Sequence, residues 1–154
     1  MRRAAPERRW LPHRIENVPD HLILFDGVCM FCSGWVRFVV ARDVHHRFRF
    51  TPVQSAFGGH LSEQLGIDAD NPETNAVIIR GIAYFKFDSV IEVLREFRGW
   101  RWIPLLRAIP RPLLNWFYDR IARNRYRWFG QMAICMTPEP SVAVRFLTDL
   151  PRTD

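Results

Sequence analysis

Up to Gly99, apolar and polar residues follow two kinds of pattern, one typical of strands and one typical of helices. Short apolar or alternating runs predict strands over residues 21–25, 47–50, 76–79 and 83–87, with a hairpin turn between the last two. Apolar residues at helical spacing predict helices over residues 29–42, 52–65 and 89–99. Ser89 and Glu92 have the spacing of a capping box, which predicts the start of the last of these helices.

The predicted elements follow one another in the order β-α-β-α-β-β-α. A β-α-β start implies two parallel strands joined by a right-handed crossover, and the hairpin is expected to add an antiparallel edge. This order predicts an α/β protein with a thioredoxin-like core and a C-terminal helical extension. We expect a flexible N-terminal arm at residues 1–19, the core at 20–99 and the extension at 100–154, packed on the core as part of a single domain.

Tryptophan and arginine are concentrated in residues 100–130, where prolines separate predicted helices over 101–109 and 112–127. Three interpretations remain open. In the first, the segment is a helical appendage with its aromatic residues in the core and its arginines in solvent. In the second, it lies on a membrane surface, with tryptophan at the interface and arginine on anionic headgroups. In the third, which the helical spacing favours least, it stacks the bases of single-stranded nucleic acid.

Composition and charge restrict the class of protein. The chain has 154 residues and 48% hydrophobic content, enough for a real core, and its net charge of +6 comes almost entirely from arginine, since Lys86 is its one lysine. Residues 1–12 are basic without the apolar stretch of a secretory signal, and no run approaches the roughly 18 apolar residues of a membrane span. We therefore expect a cytoplasmic protein, with peripheral membrane association left open. The sequence does not indicate the oligomeric state.

Candidate chemistry lies where the first predicted strand meets the first predicted helix. Cys29 and Cys32 are spaced as two thiols in one helical turn. A helix N-terminus stabilises a thiolate, which is the reactive form of cysteine. Cys29, expected nearer the helix end and the solvent, is the candidate nucleophile, and Cys32 is the candidate resolving thiol. Metal binding and an inert structural pair are the alternatives.

Asp26, three residues before Cys29, has two compatible candidate roles. It can accept or donate the thiol proton during exchange, and it can shape the tight turn with Gly27. Its negative charge also disfavours a nearby thiolate, which opposes the effect of the helix dipole. Between the two thiols, Met30 is expected at an exposed rim and Phe31 in the core.

Cys135, the third cysteine, is predicted in a loop after the last long helix and is a candidate auxiliary residue. It can act as a second resolving thiol, or as a zinc ligand with the first two cysteines and His45 or His46, or it can be idle. A closed zinc site needs four ligands, and the sequence lacks a second Cys-x-x-Cys pair and a His-x(3–5)-His motif. The favoured interpretation therefore includes no metal and no organic cofactor.

Asp26, Cys29 and Cys32 stand in a Phe-Asp-Gly-Val-Cys-x-x-Cys sequence that resembles the signature of the DCC family, described as predicted thiol-disulfide oxidoreductases. The resemblance covers about residues 22–148. It implies a thioredoxin-like fold and exchange with a protein or low-molecular-weight thiol or disulfide. Its other matching positions are Val36-Arg37-Phe38, Asp43, Arg49-Phe50, Pro52, Ile109-Pro110-Arg111-Pro112, Tyr118, Asn124-Arg125-Tyr126-Arg127-Trp128-Phe129-Gly130 and Cys135.

One position near the expected site departs from the thioredoxin pattern. Many thioredoxin-like enzymes carry a cis-proline before the third core strand, facing the disulfide, and this chain has Ala76 there. The sequence therefore does not support docking of a substrate strand in the manner of thioredoxin.

Overall fold

The fold is a mixed sheet with helices on both faces, and the computed structural model describes residues 12–68, 74–97, 99–100, 102–130 and 140–147. The strands are β1 (His13–Arg14), β2 (Leu22–Phe25), β3 (Arg49–Pro52), β4 (Ala76–Ile79) and β5 (Ile82–Phe85). The helices are α1 (Met30–Arg42), α2 (Ala56–Leu65), α3 (Lys86–Leu94), a 3-10 helix (Ile103–Ala108), α4 (Arg111–Phe129) and the short α5 (Pro140–Ala143).

The five strands lie in the order β1-β5-β4-β2-β3. β2 pairs with β3 in parallel and with β4 antiparallel, and β4 pairs with β5 antiparallel. This topology confirms the predicted β-α-β start followed by an antiparallel hairpin. The protein has the predicted α/β, thioredoxin-like fold with a C-terminal helical extension.

Both faces of the sheet are covered, so the interior strand β2 is buried along its whole length. Successive residues of β2 point to opposite faces, as the pleat of a strand requires. Ile23 and Phe25 pack in the cluster that includes α1 and α3, whereas Leu22 and Leu24 pack in the cluster that includes α2. The carboxyl end of β2 is connected by residues 26–29 to the first turn of α1.

Two predicted boundaries shift, one because of strand pairing and one because of a local helix cap. The predicted strand 47–50 is displaced to Arg49–Pro52, since Leu22 pairs with Arg49 in the parallel register. The predicted helix 52–65 begins later, at Ala56, because the Ser55 side chain caps it by accepting the Gly58 N–H at 2.9 Å.

The capping box predicted for α3 is wrong. The helix begins at Lys86, before Ser89; its N-cap residue Phe85 makes no side-chain capping bond, and the Lys86 N–H donates to the Thr74 hydroxyl at 2.7 Å. The Ser89 hydroxyl instead donates to the Lys86 carbonyl oxygen at 2.5 Å. Glu92 accepts hydrogen bonds from Arg95 and Arg107, so its carboxylate is used to hold the 3-10 helix against α3.

The long helix α4 packs against α1 and α3. Leu114 is buried in this contact, and Asp119 pairs with Lys86 at 2.7 Å. The predicted helix 112–127 is extended slightly at both ends, and Gly130 at its C-cap has the positive φ of 94° that favours glycine. Six large apolar side chains of α4 remain partly exposed, namely Leu113, Trp116, Phe117, Ile121, Trp128 and Phe129.

Part of the predicted N-terminal arm lies against the sheet. His13 pairs with Ala83 at the edge of β5, and the Ile15 N–H donates to the Gly81 carbonyl at 2.9 Å. Residues 1–11 lie outside the described part of the chain. Among the helices that the structure describes, none is both long enough and apolar enough to cross a membrane.

Candidate functional site

The two candidate thiols lie at the junction of β2 and α1. Cys29 is the N-cap residue of α1 and has extended backbone angles, and the Cys32 N–H donates to its sulfur at 3.3 Å. Helix geometry then brings the Cys32 side chain, one turn later, beside the same sulfur. Neither cysteine is in a disulfide. The structure therefore holds two reduced thiols within hydrogen-bonding reach of each other.

Both thiols are buried. Cys29 is 0% exposed and Cys32 is 5% exposed, so the expectation that Cys29 lies nearer the solvent is wrong. The Met30 N–H donates to the Gly130 carbonyl at 3.3 Å, which attaches the first residue of α1 to the end of α4. This contact with the C-terminal extension could not be read from the local sequence.

The two thiols have different pKa values. Hydrogen bonding from the Cys32 thiol lowers the pKa of Cys29 to about 7; the Cys32 N–H and the charge of Arg125 act in the same direction, against burial and the charge of Asp26. The same thiol–thiol hydrogen bond, together with burial, raises the pKa of Cys32 well above its usual value. The first proton to leave the pair is therefore that of Cys29.

The Asp26 carboxylate is buried and accepts four hydrogen bonds. One carboxylate oxygen accepts from the Gln54 amide at 2.7 Å and from the Val28 N–H at 3.2 Å. The other accepts from Arg125 at 3.3 Å and from the Tyr126 hydroxyl. The Val28 contact is the turn-shaping bond expected from the sequence, and the ion pair with Arg125 adds a second role.

Arg125 and Tyr126 are site residues that the sequence reasoning did not assign. Arg125 is only 7% exposed, although it stands among many arginines that the composition would place in solvent. Burial and the bond to Asp26 raise the pKa of Tyr126 to about 12, so its hydroxyl remains a donor. The available signal was the 124–130 motif shared with the DCC family, which indicates importance but not a contact with Asp26.

An apolar cavity of about 260 Å³ opens beside the thiol pair. Cys32, and not Cys29, is among the described residues that line it. Phe31 is 42% exposed and stacks on Phe129 with ring centroids 4.7 Å apart, so the expectation that Phe31 belongs to the core is wrong. Most of the remaining wall comes from α1, α3 and α4, including Trp35, Phe87, Val90, Phe117 and Ile121.

The polar side of the cavity lies before β4. The Cys32 sulfur is 3.8 Å from Asn75 Oδ1, a hydrogen-bond distance for a thiol donor. The Asn75 N–H donates to the Tyr118 hydroxyl at 2.9 Å, and burial raises the pKa of Tyr118 to about 12. The Cys32 thiol therefore has two acceptors, Asn75 Oδ1 and the Cys29 sulfur, and a Cys29 thiolate is the stronger of the two.

The zinc alternative gains no support from the described residues. Within that part of the chain, no three His, Cys, Asp or Glu side chains are grouped to hold a metal ion. His45 and His46 follow the C-terminal end of α1, and a 13-residue helix is about 20 Å long, which separates them from the thiols at its start. Cys135 lies outside the described residues.

The comparisons with known proteins agree with the geometry. A family model described as DCC1-like thiol-disulfide oxidoreductase matches residues 23–131. Uncharacterized protein YuxK of Bacillus subtilis (strain 168) is 41% identical over 133 residues, which are 86% of this chain and 97% of that protein. A chloroplastic DCC family protein of Arabidopsis thaliana is 28% identical over 120 residues, 74% of this chain and 67% of that protein. No solved structure matches the chain.

Proposed function

The chain belongs to the DCC1-like thiol-disulfide oxidoreductase family, and from this premise we propose that it exchanges a dithiol for a disulfide through Cys29 and Cys32. The observation that carries the proposal is the unequal thiol pair at the start of α1. The pKa of Cys29 is lowered to about 7 while that of Cys32 is raised. At neutral pH such a pair holds one thiolate for attack and one thiol in reserve.

The exchange has two steps. The Cys29 thiolate attacks one sulfur of a substrate disulfide, which forms a mixed disulfide and releases the first substrate thiolate. Cys32 then loses its proton and attacks the Cys29 sulfur, which forms the Cys29–Cys32 disulfide and releases the second substrate thiolate. The two released thiolates take up protons, and two electrons pass from the protein to the substrate. The reverse sequence oxidises a substrate dithiol.

Asp26 assists proton movement in this proposal. The charge of Asp26 raises the pKa of both cysteines, and the charge of Arg125 lowers the same two pKa values. The two members of this ion pair therefore have opposing effects on the thiols. When Cys32 must lose its proton, the buried carboxylate is an acceptor in the wall of the same cavity. The hydrogen bonds from Gln54 and Tyr126 keep that carboxylate in place.

The test is an exchange assay of the purified full chain with a small model disulfide. We expect Cys29→Ser to abolish exchange. Cys32→Ser should form the mixed disulfide once and stop there, which intact mass shows as an adduct on Cys29. Exchange by the Cys29→Ser variant at the wild-type rate would overturn the assignment of the nucleophile.

A second candidate function, docking to a membrane surface, is favoured by the exposed side of α4. Leu113, Phe117 and Ile121 follow a helical i, i+4, i+8 spacing and are all exposed, and Arg120 is exposed on the same side. The test is cosedimentation with anionic and neutral lipid vesicles at low salt. Binding to the anionic vesicles that Phe117→Ser weakens would support docking, and equal failure to bind both would exclude it.

A further inference from the structure

The cavity beside the thiols has the size and lining of a site for one compact apolar group. Its volume of about 260 Å³ exceeds the roughly 150 Å³ of an apolar cavity that holds benzene. Phe31 and Phe117, which line it, are also partly exposed, so its mouth faces solvent. Because Cys32 lies in its wall, an occupant would be in contact with the resolving thiol, one helical turn from Cys29.

One buried donor in this cavity has no partner among the described residues. Arg125 lines the cavity and is more than nine-tenths buried, and its Nε finds no hydrogen-bond acceptor in the described part of the chain. Its other nitrogens are used by Asp26 and by the Ala122 carbonyl. That nitrogen is shielded from solvent by its neighbours, so Arg125 adds a positive charge to the wall beside Cys32 rather than an accessible donor.

The backbone N–H before β4 that could bind a peptide already has a hydrogen-bond partner. An extended peptide docks through main-chain hydrogen bonds to a free edge or loop. Before β4, the Asn75 N–H is bonded to the Tyr118 hydroxyl at 2.9 Å. The next residue is Ala76, and the described residues contain no cis peptide bond. Recognition beside Cys32 therefore depends on the apolar cavity rather than on a paired backbone.

From the apolar cavity and the bonded backbone N–H we infer that the substrate is a low-molecular-weight disulfide that carries a compact apolar group, the size of a short acyl chain or a phenyl ring. The inference rests on the proposed function and specifies its substrate class. The apolar group occupies the cavity between Phe31 and Phe117. One sulfur of the substrate is attacked as described above, so that two substrate thiols and the Cys29–Cys32 disulfide are formed.

The test uses N,N′-diacylcystamines, because the pKa of the leaving N-acylcysteamine thiol stays nearly constant while its acyl group changes. The acetyl, propanoyl, butanoyl and benzoyl compounds are compared by the second-order rate constant for oxidation of the reduced protein. We expect that constant to rise about fourfold for each added methylene until the cavity is filled. A rate constant that does not change along the series would overturn the inference.

A variant that fills the cavity provides a second, independent readout. Val90 lines the cavity, whereas Val144 is exposed elsewhere, so Val90→Phe and Val144→Phe make the same chemical change at two sites. We expect the ratio of the butanoyl to the acetyl rate constant to fall towards one in Val90→Phe and to stay at the wild-type value in Val144→Phe. An unchanged ratio in a folded Val90→Phe protein would contradict the cavity as the binding site.

The outcomes separate this inference from the proposed function. If no diacylcystamine oxidises the protein, thiol-disulfide exchange itself fails. If all of them oxidise the protein at the same rate, thiol-disulfide exchange is supported and the inferred substrate class is wrong. A peptide disulfide of the same thiol pKa that reacts faster than the benzoyl compound, equally in wild type and Val90→Phe, would show recognition of a peptide instead.

Discussion

Replacing Cys32 by alanine should raise the pKa of Cys29, because the largest influence that lowers this pKa is the hydrogen bond from the Cys32 side chain. Replacing Cys32 by serine should not, because the serine hydroxyl can donate in place of the thiol. The backbone N–H of residue 32 stays in both variants and continues to donate to the Cys29 sulfur. The two substitutions therefore differ in one side-chain hydrogen bond.

The size of the effect follows from the charge on the acceptor. A hydrogen bond to a charged group contributes about 1.5–3 kcal/mol, and one pKa unit corresponds to about 1.36 kcal/mol. The alanine variant should therefore shift the pKa of Cys29 upward by about one to two units. At pH 7 its thiolate fraction would fall from about one half to between about one tenth and one hundredth.

The assay is the absorbance of the thiolate near 240 nm, followed from about pH 5 to pH 10 on reduced protein. This readout does not require a reagent to reach the buried sulfur. A Cys135→Ser background removes the third thiol, and a variant that also lacks Cys29 supplies the tyrosine baseline. We expect the pKa of Cys29 to be well above the wild-type value in Cys32→Ala and near the wild-type value in Cys32→Ser.

Equal titration of the two variants near pH 7 would refute the reasoning, because the side-chain hydrogen bond would then contribute nothing. A wild-type Cys29 that titrates near 8.5, the ordinary value for a thiol, would refute it as well. Either result would remove the physical basis for Cys29 as the first thiolate.

Three further predictions concern the ion pair, the packing of α2 and the pH profile. Asp26→Asn should lower the free energy of unfolding by about 3–5 kcal/mol in urea titrations, because it leaves Arg125 buried without its counter-ion; a change below about 1 kcal/mol would contradict this. Gly58→Ala should destabilise the fold, because a Cβ there would collide with the Pro52 carbonyl, whereas Gly59→Ala has room and should be neutral or stabilising by up to about 1 kcal/mol; equal melting temperatures would refute the difference. The rate of wild-type exchange should rise with pH through an apparent pKa of about 7, because deprotonation of the nucleophilic thiol creates the attacking form, and a midpoint near 9 in stopped-flow measurements would contradict it.

Local sequence was sufficient where local geometry decides the structure. The apolar run of β2, the tight turn and the helical spacing after Cys29 place both thiols in the first turn of α1, because no distant contact is needed to form that unit. The parallel pairing of β2 with β3 and the β4–β5 hairpin also followed from short-range rules for connections between strands.

Local patterns failed where a distant contact used the same side chain. Ser89 and Glu92 match a capping box, but Glu92 bonds instead to Arg107, and the helix begins one turn earlier than predicted. The buried position of Cys29 likewise could not be predicted from its neighbours, since the first residue of α1 is bonded to Gly130.

The identity of the ion-pair partner of Asp26 was the largest gap. Arg125 is 99 residues away in the chain, and its helical neighbours Arg123 and Arg127 are exposed. Helical periodicity distinguishes one face of α4 from another, but it does not show which face meets the end of β2. That information comes from how α4 packs against α1 and α3.

The central claim is that Cys29 and Cys32 form one reversible two-electron couple. The most direct measurement is a redox titration of the purified chain against defined glutathione buffers, with alkylation and peptide mass mapping to identify the oxidised residues. We predict the cooperative loss of these two thiols at a potential within about −120 to −270 mV, the range of exchange enzymes. Two thiols that stay reduced across that range, or a disulfide that joins either of them to Cys135 instead, would contradict the account.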